Sequence, residues 1–329
     1  MKKNSKLLSI LPYAVILVCF LIIPTSIDKM FWYAAFISIL AKMIASVGLR
    51  MVSLGGDMSF AMGAFMGLGA YGAAIMVTKW SFPFWAAIIL AAVFAAIVAV
   101  LTGIPFARLR SIYYCMTTMF LGIFLIYIFQ SFDWTGANTG IKQIPKLFGG
   151  KPAINYWYFL ALAVVCIFCM WRFEKSRIGN TLKAIAQSHE VAASMGVNER
   201  FYRLMAIGVA AFFCGVAGAS YALYYGSVVG STYGMTLDLW IIMFFMVGGK
   251  DDFFGPIIGA ALLGVVNEGS RTFGSYAPFL ACAVLLLVAY LLPGGLASIP
   301  RTIKKAIDDK KMKQVDISAF SSGSDGKEA

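Results

Sequence analysis

The sequence is short of charge. Lys, Arg, Asp and Glu supply 13% of its 329 residues, against about a quarter in soluble domains. With 60% hydrophobic residues and a mean hydropathy of +0.82, a water-soluble fold is excluded. There is one histidine, so no histidine cluster can hold a metal. The phosphate-cradling pattern G-x-x-x-x-G-K-[ST] is absent: "GGK" at Gly248–Lys250 is followed by Asp251, and position 244 is Phe. The chain is therefore read as no enzyme and as carrying no cofactor, and any nucleotide that drives it binds to another subunit. The six cysteines all lie in apolar stretches. Cys166 and Cys169 form a C-x-x-C, but inside "ALAVVCIFCMW" they read as small packing residues rather than a redox pair.

What is present is grease in long runs. "YAVILVCFLII" and "FWAAIILAAVFAAIVAVLTGI" approach or reach the roughly 20 apolar residues that a spanning helix needs. No alternating strands of the barrel type are visible. The fold class is all-α, a polytopic transmembrane bundle. Ten membrane segments are expected at 7–23, 31–48, 58–78, 82–104, 112–130, 154–172, 203–226, 236–248, 255–270 and 277–292. The eighth and ninth are short for a bilayer: half-helices, a re-entrant pair, or helices extended by their neighbours. "MKKNSK" and its apolar run resemble a signal peptide, but no small-residue cleavage site follows, so this reads as a retained first span.

Net charge is +12, yet the cations sit at segment ends and in the tails, which indicates topology rather than nucleic-acid binding. With both termini cytoplasmic, Arg50, Arg108, Arg110, the polar island 173–202 and the basic tail all fall inside. The expected organisation is a membrane domain over 1–300 and a partly disordered basic tail over 301–329. The stretch from Ser131 to Trp157 is the longest external connection, and "LGGDMSF" and "VGGKDDF" share a faint GG-x-x-x-F echo.

Acids in or near apolar segments are rare and informative. Asp57, Asp238 and Glu268 qualify. Each can line a polar path or face the interface, and Asp57 and Asp238 can also cap their own helices. Asp57, Ser59, Thr117 and Thr118 are the candidate pathway residues, although the two threonines can also bond their own backbone. Gly63 and Gly67, with Gly255 and Gly259, form small-x-x-x-small faces that let helices approach closely. In the island, Ile178, Leu182, Ile185 and Ala192 recur at near-helical spacing. Gly196 is placed to end that helix and Asn198 to cap the next. The apolar stripe must be buried by the chain's own spans, by lipid, or by another protein. His189 lies on that apolar side.

Five ordered motifs then carry a resemblance: "SFAMGAFMGLGAYGAA" (Ser59–Ala74), "ARLRSIYYCMTTM" (Ala107–Met119), "TGANTGI" (Thr135–Ile141), "SRIGNTLKAIAQSHEVAASMGVN" and "VGGKDDFFGPIIGAALLG". Over roughly Leu40 to Gly295 the chain resembles the permease subunits of branched-chain amino acid ABC importers, LivM type. The resemblance implies a bacterial inner-membrane permease that forms the path for a branched-chain or other hydrophobic amino acid. It implies a second, related permease, two cytoplasmic ABC ATPases and an extracytoplasmic solute-binding protein. It also implies that Glu190, Ala192, Ala193 and Gly196, which match the pattern E-A-A-x-x-x-G with Val191 in place of its first alanine, dock on the ATPase. His189 is then a bystander at that contact. Where the family has Gly-Gln before its early signature, this chain has Gly56, Asp57 and Met58, which opens the cargo to urea, amides, nucleosides or sugars. A stand-alone secondary transporter, moving solute without ATP, and a membrane scaffold without transport are the readings from other classes.

Overall fold

The computed structural model describes residues 30–250 and 252–270. The expected segments 7–23 and 277–292, both termini and the basic tail lie outside them. Among the described residues the regular structure is helical: α1 (Met30–Ser53), α2 (Met62–Lys79), α3 (Phe84–Phe106), α4 (Ile112–Ser131), α5 (Pro152–Lys175), α6 (Arg177–Gln187), α7 (His189–Ser194), α8 (Glu199–Tyr225), α9 (Met235–Gly248) and α10 (Gly255–Ser270). The one β feature among them is an isolated bridge, Ile141 to Val228. Six stretches there are long and apolar enough to cross a bilayer: α1 from Phe31, α3, α4, α5, α8, and Gly230–Gly248, which contains α9. The molecule is a multi-pass membrane protein.

Burial separates an inner set of helices from an outer one. The most apolar window of α1 is 94% buried, whereas those of α3, α4 and α5 are 33% buried. Ile97, Leu101, Phe120, Phe124 and Phe168 point outward, as lipid-facing side chains do. The inner helices α2 and α8 are rich in glycine and alanine, and their backbones touch. A Cβ on Gly218 would collide with the Met66 carbonyl oxygen, and one on Gly69 with the Gly215 backbone. Without a hydrophobic drive between helices in lipid, such close packing is what holds them together.

The eighth segment is extended by its neighbour to Gly230–Gly248, long and apolar enough to cross a bilayer. A 3₁₀ turn, Gly230–Tyr233, precedes α9. Gly230 lies beside Phe129 and Gln130 at the end of α4, and at the far end the Arg50 guanidinium donates to the Lys250 carbonyl at 2.6 Å. The stretch therefore runs from one end of the bundle to the other, and α10 folds back against it. A Cβ on Gly259 would strike the Phe244 carbonyl, and one on Gly255 the Gly249 carbonyl. The two Gly-Gly pairs of the echo close α1 and α9. The second glycine of each has positive φ, +86° at Gly56 and +104° at Gly249, a region that L side chains rarely enter.

The third segment departs from its expected bounds. It begins as a helix at Met62, not at residue 58. Asp57 to Ala61 run non-helically along α4: Cys115 Sγ donates to Met58 O at 3.2 Å, and Phe60 N donates to Thr118 Oγ1 at 3.1 Å. A Cβ on Gly122 would lie 3.1 Å from Phe60 O. From Ser111 to Gly122 a helix rises about 16 Å, roughly half of a hydrocarbon core about 30 Å thick. So α2 starts near mid-depth. Irregular backbone is tolerated there only where protein or a watery cavity surrounds it.

Candidate functional site

The island is two helices, not one. Ser176 Oγ accepts from Gly179 N and opens α6. Ser188 then takes an extended backbone (φ −157°, ψ 111°) and its Oγ accepts from Val191 N to open α7. Gly196 has φ +77°, and the Asn198 carboxamide accepts from Phe201 N to start α8. The apolar stripe of α6 is covered by the chain itself. Leu182 and Ile185 are fully buried, and Leu182 packs beside Gly55. What stays open is α7 and its exit: Glu190, Ala193 and Gly196 are exposed, with Val191 at 62% and Met195 at 79%. Ala192 turns inward. The lone histidine faces inward too, with His189 Nδ1 3.0 Å from Glu199 Oε1.

Behind the island lies a buried cluster of charges. The Arg203 guanidinium pairs with the Asp57 carboxylate, both side chains being almost fully buried. It also donates to the carbonyls of Ala107 at 3.1 Å and Leu109 at 2.8 Å, and its Nη1 lies 3.5 Å from Glu199. Asp57 Oδ1 accepts from Ser111 N, just ahead of α4. Asp57 thus caps another helix rather than its own. Arg110 reaches the second Glu199 oxygen at 3.0 Å. A neighbouring cluster joins other helix ends: Arg50 makes a two-pronged pair with Glu174 at 2.8 and 3.0 Å, and Lys183 of α6 binds the same carboxylate at 2.7 Å. Such fork-shaped pairs fix orientation as well as distance. The island is therefore bonded to α1, α5 and α8, and through Arg203 to the non-helical stretch that leads into the bundle.

At the inner end of that stretch sits Asp238. Its Oδ1 accepts from Gly63 N at 2.6 Å. The carboxylate expected to cap its own helix caps α2 instead, from a neighbouring element. Gly63 and Gly67 allow this approach. Cβ atoms there would lie 3.1 Å from Tyr233 O and 3.0 Å from Tyr233 Cβ.

The four pathway candidates separate. Ser59 is buried and its Oγ accepts from Ala61 N. Thr118 holds Phe60, and Thr117 back-bonds to Tyr113 O at 2.7 Å. Asp57 lines an opening among the described residues, a cavity of about 580 Å³ at the island end, shared with Arg50, Lys183, Phe245 and Lys250. A second cavity of about 380 Å³ lies deeper, walled by Lys42, Tyr221, Thr232, Thr236, Trp240 and Asn267 among others. Helices α1 and α9 line both. Sequence reading assigned no role to Arg203, Glu174 or Lys42. The available signal was a cation inside an apolar run, as in "ISILAKMIASVGL".

The chain is 27% identical over 288 residues to "High-affinity branched-chain amino acid transport system permease protein LivM" of Escherichia coli (strain K12), covering 78% of this chain and 68% of that one. It is 23% identical over 267 residues to "Ribose import permease protein RbsC" of the same organism, covering 76% and 81%. To the corresponding LivH protein of Salmonella typhimurium it is 27% identical over 148 residues, 44% of this chain and 46% of that one. Among solved structures, "PsaBC from Streptococcus pneumoniae in complex with Fab" aligns over 85% of this chain and 98% of that one, with a TM-score of 0.44 and 15% identity. Residues 31–292 match the family described as "Branched-chain amino acid transport system / permease component", and the chain belongs to that family.

Proposed function

We propose that this chain is the path-forming permease of an ATP-driven importer in the bacterial inner membrane, carrying branched-chain or other hydrophobic amino acids. It would work with a second related permease, two cytoplasmic ATPases and an external solute-binding protein. ATP is hydrolysed on the partners, and this chain performs no catalysis. The observation that carries the reading is the pairing of an exposed face with an internal linkage. Glu190, Val191 and Met195 face outward on a short helix and its exit, and close contacts through Glu199 and Arg203 tie that helix's surroundings to Asp57 and to the broken start of α2. Closure of the ATPases would move α7 as a rigid piece, and the bonded elements would move with it. The driving energy is the difference in nucleotide affinity between the two states.

Glu190→Lys and Val191→Asp are each expected to lower co-purification of the ATPases and to cut ATP-driven uptake about tenfold, the equivalent of about 1.4 kcal/mol of interface energy. Normal uptake with normal ATPase association in both variants would sink the docking assignment. The similarity to a ribose import permease favours one second reading, a sugar cargo. Competition of labelled leucine uptake by unlabelled ribose and by unlabelled leucine separates the two.

A further inference from the structure

Lys42 stands at the middle of the 24-residue helix α1, the most costly depth for a charge. It is held in a polar network. Lys42 Nζ lies 3.4 Å from Glu268 Oε1, and Ser38 Oγ donates to the same oxygen at 3.2 Å. Intramembrane groups of this kind usually mark a solute or ion route.

The network borders the deeper cavity. Its volume, about 380 Å³, falls in the range of about 300–1,000 Å³ typical of small-molecule sites. Lys42 is in the wall, whereas its partner Glu268 is 2% exposed and stands behind it. An entering solute therefore meets a cation, the hydroxyls of Thr232 and Thr236, and the apolar surfaces of Trp240 and Leu237. An ammonium has three donors and can hold two carboxylates side by side. This lining suits a small carboxylate with an apolar body.

The position also fits a route. Lys42 and Arg50 lie about 12 Å apart along α1 at 1.5 Å per residue, and each borders one of the two cavities. Between them the seam of α1 and α9 is closed by Ser46, whose Oγ donates to Ile241 O at 3.3 Å. We infer that the deeper cavity is an intramembrane station for a small apolar carboxylate solute, with Lys42 as the residue that meets the carboxylate. Passage to the island-end cavity parts the seam at Ser46 and Ile241. The inference rests on the importer reading and adds the station to it.

The test is uptake and ATP turnover by the assembled complex in liposomes, with leucine as the solute. Lys42→Gln is expected to lower uptake per ATP hydrolysed at least about tenfold, the scale of one charge-assisted hydrogen bond. Lys42→Arg should retain most uptake. Thr236→Val, which only removes a hydroxyl from the wall, should raise the KM of uptake about threefold, the scale of one neutral hydrogen bond. Unchanged uptake per ATP hydrolysed in Lys42→Gln, or an unchanged KM in Thr236→Val, would overturn the station. So would full restoration by the exchange Lys42→Glu with Glu268→Lys, since a pair that only joins two helices tolerates reversal. A wild-type complex that carries ribose but no carboxylate solute overturns the station and leaves the importer reading standing. Uptake that ignores ATP counts against the importer reading alone, because the Lys42 variants are then compared on that same uptake.

Discussion

Arg203→Glu is expected to abolish transport, with uptake into liposomes falling at least about a hundredfold. Breaking a buried ion pair from one side costs about 3–5 kcal/mol because it strands the other charge, and each factor of ten corresponds to about 1.4 kcal/mol. Here the stranded group is Asp57, 6% exposed, and the new glutamate repels both it and Glu199. The two carbonyls served by Arg203, those of Ala107 and Leu109, lose their donor as well. Arg203→Lys keeps the charge but not the fork, so its uptake should fall between wild type and Arg203→Glu. Exchanging the pair, Asp57→Arg with Arg203→Asp, should recover part of the loss and no more, since an aspartate at 203 cannot donate to those carbonyls. The decisive measurement is uptake per ATP hydrolysed. If the arginine acts as the link between island and path, Arg203→Glu complexes that still assemble hydrolyse ATP without moving solute. Uptake within about threefold of wild type, less than 1 kcal/mol by the same conversion, would refute the link.

The second large effect belongs to Asp238. Losing an N-cap costs about 0.5–2 kcal/mol, and an orphaned buried N–H adds about 1–3 kcal/mol. In Asp238→Ala the buried backbone N–H of Gly63 loses the carboxylate oxygen that accepts from it at 2.6 Å. Uptake should drop about thirtyfold, equivalent to about 2 kcal/mol, and the thermal midpoint of the purified complex should fall with it. Asp238→Asn keeps an acceptor oxygen in place and should recover most of both. A wild-type midpoint together with wild-type uptake in Asp238→Ala would show that the cap supports neither the fold nor the path.

Much of the fold was legible in the sequence. Long apolar runs marked α3, α4, α5 and α8, because each such helix must satisfy its own backbone in lipid and therefore repeats greasy residues over its whole length. The island was legible at its ends. Gly196 and Asn198 act locally, through one dihedral and one side-chain bond. Its division at Ser188 was not foreseen, because Ile185 and Ala192 keep helical spacing across it whether or not the backbone breaks. The start of α2 was misread for the same reason. "DMSFAMG" is uniformly small or apolar apart from Asp57, and hydropathy adds up residues without regard to their backbone angles.

The site was legible in residue type and not in pairing. Asp57 and Asp238 stood out as acids beside apolar runs, and each proved to cap a helix other than its own. His189, expected to be a bystander at the ATPase contact, lies with its Nδ1 3.0 Å from Glu199 Oε1.

By itself the sequence determined what depends on composition and local spacing: a helical membrane protein, cations gathered at segment ends, glycine faces fit for close packing, and a capped polar island. The tertiary structure alone decided which polar groups meet. Arg50 reaches Glu174 across 124 positions, Asp238 reaches Gly63 across 175, and Lys42 reaches Glu268 across 226. A buried charge must find a partner, but nothing in its own neighbourhood of the chain says which one. That choice follows from how the helices pack, and it is what gives Asp57, Lys42 and Arg203 their roles.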